Sequence, residues 1–70
     1  MYNKILYQVI ELKRQITNKQ GDDETQHDLE DRMRLLLVEA VEQDYEMETL
    51  KQIAQIIRQV ELMDFSRWCA

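Results

Sequence analysis

One histidine and one cysteine are all the imidazole and thiol chemistry that this chain of 70 residues carries. His27 stands beside Asp28 and close to Glu24, but neither a Cys–His pair nor a Ser–His–Asp arrangement has candidates to choose among. A metal needs ligands of suitable type converging on one point. Glu24, His27, Asp28 and Asp31 instead lie spread over one or two turns of a polar helix start, without the loop of an EF-hand. Gly21 is the single glycine, so a glycine-rich phosphate cradle is excluded. These residues predict no catalytic group, no cofactor and no metal, and a protein that is not an enzyme.

The remaining polar chemistry is charge, and it is unevenly placed. Fourteen acidic against nine basic residues give a formal net charge of −5, which argues against a protein that wraps nucleic acid through phosphate contacts. Residues 1–20 hold Lys4, Lys13, Arg14 and Lys19 against Glu11; residues 21–50 hold eleven acids against Arg32 and Arg34. On a helical wheel the four basic residues of the first segment point in different directions, so no basic stripe forms and no direct nucleic-acid binding is expected. Asp22, Asp23, Asp28 and Asp31, with Glu24 and Glu30 among them, form an acidic patch. Such a patch either complements the dipole of its own helix or mimics nucleic acid in the basic groove of a DNA- or RNA-binding enzyme.

These side chains must be carried by helices. With no proline and one glycine, the chain cannot supply the tight turns that an all-β domain needs. Tyr2, Ile5, Leu6, Val9, Ile10, Leu12 and Ile16 recur at the spacings of an amphipathic helix. That helix is expected to end before Gly21, the residue suited to a left-handed conformation. Asp23 or Thr25 is the expected cap of the second helix, Thr25 with Asp28 approximating a capping box. Leu29, Met33, Leu36, Leu37 and Ala40 form its main stripe, and Leu35 and Val38 lie well off it. Between Gln43 and Glu46 a turn is expected, with Asp44 as the cap of a third helix; the alternative, since neither glycine nor proline marks a break, is one continuous helix over 26–67, of coiled-coil length. That helix carries Met47, Leu50, Ile53, Ala54, Ile56, Ile57, Val60 and Met63 over an arc nearly twice the width a surface helix requires. The sequence thus predicts one all-α domain with helices over 2–20, 26–43 and 45–67.

The helical hairpin loosely resembles the small phosphatases that act on response-regulator aspartyl phosphate, whose second helix carries Ser-Gln-x-Leu-Asp. Of Gln26-His27-Asp28-Leu29-Glu30 only Leu29 matches, and no activity is carried over.

A chain this short buries only about 60% of the surface its unfolded form exposes, so it gains from self-association. The surplus apolar faces predict a homodimeric helical bundle with the third helix at or near the interface. Leu35, Val38, Ile53, Ile56, Val60, Met63, Phe65 and Trp68 are the expected contact residues for the second copy or a partner protein. Cys69, being alone, forms no intrachain disulfide and suits a reducing compartment. No apolar run is long enough to cross a membrane, and the expected location is cytoplasmic. The expected function is that of a small regulator or adaptor, of the kind phages and mobile elements encode, that inhibits or modulates a larger protein by contact.

Overall fold

Asn3 opens the first helix: its side-chain oxygen accepts the backbone N–H of Leu6 at 3.1 Å, satisfying one of the donors a helix start leaves unpaired. The computed structural model describes residues 3–65, which form α1 (Lys4–Asn18), α2 (Asp23–Glu42) and α3 (Met47–Glu61) and no strand among the described residues. Every helix packs against the other two, in a bundle of 35 × 19 × 16 Å.

The amphipathic spacing of α1 delivers Ile5, Val9 and Ile16 to the core, with Leu6 and Leu12 packed at its margin. Ile10, expected on the same face, is exposed. The helix ends where the backbone turns through Gly21 at φ +94°, with the Asp22 N–H bonded to the Lys19 carbonyl at 2.9 Å. A side chain at residue 21 would meet no neighbour, so glycine is required there by its dihedral angle and not by space.

The second helix begins earlier than expected, and its cap is neither Asp23 nor Thr25. Asp22 is the cap, its carboxylate accepting the Thr25 N–H at 3.2 Å. Asp23 and Glu24 occupy the first turn, where the helix dipole favours negative charge. Just inside, buried Gln26 donates its side-chain N–H to the Ile16 carbonyl at 2.9 Å and ties the end of α1 to the start of α2.

The expected turn between the second and third helices is present, but Asp44 does not cap α3. It ends α2: Asp44 adopts φ +59°, its N–H reaches the Val41 carbonyl and the Tyr45 N–H reaches the Ala40 carbonyl, both at 3.1 Å. This is a paired-bond closure usually built with glycine, here carried by a residue type that tolerates the left-handed region. Helix α3 starts behind Glu46 with no side-chain cap.

The third helix also ends earlier than expected, at Glu61, and Phe65 explains why. Continued as a helix, the chain would carry Phe65 about 120° around the axis from Ile53, away from the core. By leaving the helix after Leu62, the chain buries Phe65 against the end of the bundle instead. Around Ile53, Ile57 and Val60 the core is completed by Met33, Leu29 and Ala40 of α2 and the buried side chains of α1.

Candidate interaction surface

Most of the wide apolar arc of α3 is covered within the single chain, though not Met47 at its tip. Ile53 and Val60 are fully buried, and Phe65 nearly so, because α1 and α2 pack on the two sides of α3. This corrects the expectation that these three residues form a contact surface for another molecule. Ile56 and Met63 are half-buried and pack against the same core. Trp68 and Cys69 lie outside the described residues. Leu35 and Val38 are on the surface, 68% and 56% exposed.

What the sequence did not single out extends that surface. Val41 is 55% exposed, and Met47, which the periodicity assigned to the core stripe of the third helix, is 66% exposed. A signal was available for Val41: it follows Leu35 and Val38 at i+6 and i+3, so a second apolar stripe runs along α2 opposite its buried one. Both stripes have neighbours that fix their direction. Arg34, Val38 and Val41 succeed one another at four and three residues and share a side of α2. Arg34 reaches across to Glu61 of α3 with its Nη2 3.0 Å from Oε2. Met47 and Ala54 stand on the Glu61 side of α3 at seven-residue intervals. The open seam between the antiparallel helices thus carries an ion pair at one end and exposed apolar side chains towards the other.

A second opening lies between α1 and α2. Tyr7, Leu12, Leu35 and Leu36 line a groove of about 560 Å³ whose polar rim includes Glu11, Arg32 and Glu39. Arg14 and Glu11 pair through their side chains on the α1 rim, and Glu11's carboxyl lies below its ordinary pKa, held there by the bond from Arg14.

The predicted acidic patch is partly neutralised within the chain. Asp28 pairs with Arg32 at 3.3 Å, and Asp31 lies 3.4 Å from His27 Nδ1 and 3.9 Å from Arg34. Asp22 is committed to its cap, and the bond from Thr25 holds its carboxyl below the ordinary value. Glu30, 1% exposed, is paired with Arg34 Nη1 at 3.2 Å. Burial lowers the pKa of the Arg34 guanidinium, but the bonds to Glu30 and Glu61 outweigh it and leave the pKa above its usual value. The acids around the second turn differ. Glu42, Asp44, Glu46 and Glu48 have no basic group within 4 Å among the described residues, and the last turn of α2 carries no basic residue.

Among the described residues no three His, Cys, Asp or Glu side chains converge as a metal site, and no helix is long and apolar enough to cross a membrane. Comparison with known proteins finds no matching family model, no similar curated protein and no similar solved structure.

Proposed function

We propose that the protein is a small regulatory or adaptor protein that works by protein–protein contact, using the outward face of α2, and that it self-associates as a homodimer. The observation that carries this is the exposure of Leu35, Val38 and Val41 along a helix whose opposite face is already buried. Isolated exposed apolar residues need no explanation, but a stripe at helical spacing beside an apolar groove is the usual form of a helix-binding surface.

The groove between α1 and α2 suits a second copy. An antiparallel twofold pairing centred on Leu35 and Leu36 sets Arg32 of one copy opposite Glu39 of the other, twice. It also opposes the two helix dipoles. Tyr7, an amphipathic side chain beside Leu35, supplies the aromatic contact that such interfaces favour.

The test is site-specific photo-crosslinking in the source cell. A photoreactive residue at Val38 is expected to give a discrete adduct with a second protein, and one at Glu24, also exposed, is expected to give none. Adducts from Glu24 and none from Val38 would move the contact to the acidic helix start and support nucleic-acid mimicry instead.

A further inference from the structure

The exposed end of the α2–α3 seam is electrostatically unfinished. Glu42 stands at the carboxyl end of α2, where the dipole already concentrates negative charge. Asp44, Glu46 and Glu48 follow within the turn and the first turn of α3. Only Glu48 and Glu46 gain from a helix start, and none of the four has a basic group within 4 Å among the described residues. Against them stands Lys51, one turn beyond Met47. Within this acidic frame lie Val38, Val41 and Met47, each more than half exposed.

The exposed apolar side chains add nothing to the core, and the carboxylates of Glu42 and Asp44 gain nothing from a helix start. Burying these apolar side chains and supplying the missing positive charge would both be favourable, and one ligand does both. We infer that this end of the seam docks a basic amphipathic helix of another protein, its apolar face on Val38, Val41 and Met47 and its lysines or arginines against Glu42, Asp44 and Glu46. A second copy is disfavoured here, because twofold pairing about this corner would set the same carboxylates against one another. This inference rests on the contact function proposed above and adds the chemistry of the partner.

The test uses the intact chain and two designed helical peptides, one of leucine and lysine and one of leucine and glutamate, with binding followed by calorimetry. The Leu/Lys peptide is expected to bind and the Leu/Glu peptide not to. The double variant Glu42→Gln/Glu46→Gln is expected to weaken binding about tenfold, as is Val41→Ser/Met47→Ser. Asp22→Asn/Asp23→Asn changes net charge equally, keeps a capping residue, and is expected to leave binding nearly unchanged. All variants are checked for unchanged helical circular dichroism. Equal loss in the Asp22/Asp23 control would reduce the effect to overall charge and overturn the site. No binding of the Leu/Lys peptide would overturn it too, as would a wild-type dimer that Val41→Ser/Met47→Ser dissociates. If the peptide fails while Val38 still crosslinks a second protein, only the partner's chemistry is wrong; if both fail, the contact function falls with it.

Discussion

Arg34 bridges the buried carboxylate of Glu30 and the surface carboxylate of Glu61, with its two terminal nitrogens 3.2 and 3.0 Å from them. One guanidinium thereby satisfies a charge taken out of water on α2 and fixes the register of α3 beside it. Removing one partner of such a pair leaves the other charge desolvated, which is far more harmful than losing a surface pair. Arg34→Ala is expected to destabilise the chain by about 3 kcal/mol in urea denaturation. Arg58 contacts Glu61 from the exposed side, and Arg58→Ala is expected to cost no more than about 0.5 kcal/mol.

Asp44 occupies a left-handed position that glycine adopts without steric penalty. Asp44→Gly is expected to stabilise by about 0.5–1 kcal/mol, and Asp44→Val to destabilise by about 1–2 kcal/mol, in the same denaturation measurement. If both substitutions lower stability equally, residue 44 does not close α2 in the way described.

The cap at Asp22 makes a pH-dependent contribution. The bond from Thr25 lowers the carboxyl's pKa in the folded state, so the stabilisation is present above the unfolded value and is lost as pH falls through the lowered folded one. Thermal melts of wild type and Asp22→Ala are expected to differ by a constant amount near neutrality. The difference narrows as acid protonates the cap. Asp22→Asn, which caps without ionising, is expected to show no such narrowing relative to its own neutral value.

Met33 and Leu35 are two residues apart and have opposite environments, fully buried and 68% exposed. Met33→Ala is expected to cost about 2–5 kcal/mol through the cavity it leaves, and Leu35→Ala, measured at a concentration too low for dimers to form, to change folding stability by less than about 0.5 kcal/mol. A large loss from Leu35→Ala in a chain shown to be monomeric would put α2 in a different rotation.

Much of this architecture was legible because local physics decides it. The three-and-four spacing of Ile5, Val9 and Ile16 allows only one buried face, and Gly21 marks the first turn because its backbone angle suits no other residue as well. The second turn was legible as a break but not in detail. Asp is favoured both at helix starts and in the left-handed position after a helix, and only the bonds from Asp44 and Tyr45 back to α2 distinguish the two. The surface was legible in half. The off-stripe positions of Leu35 and Val38 mark them as residues the chain's own core does not take, which is where the structure leaves them. The width of the α3 arc, however, says how much must be covered and not by what. Ile53 and Val60 went to the chain's own helices, whereas Met47, at the tip of the same arc, did not. Phe65 was hidden from periodicity altogether, since its burial depends on the helix stopping.

Sedimentation equilibrium of the wild-type chain beside Leu35→Glu addresses the self-association directly. Leu35 is largely exposed, so the substitution is expected to leave the helical signal intact. The expected result is a wild-type dimer at micromolar concentration that becomes a monomer in the variant. A wild-type chain that stays monomeric at that concentration, or a dimer indifferent to the glutamate, would contradict the proposal that the groove lined by Leu35 and Leu36 is where this protein meets its own copy.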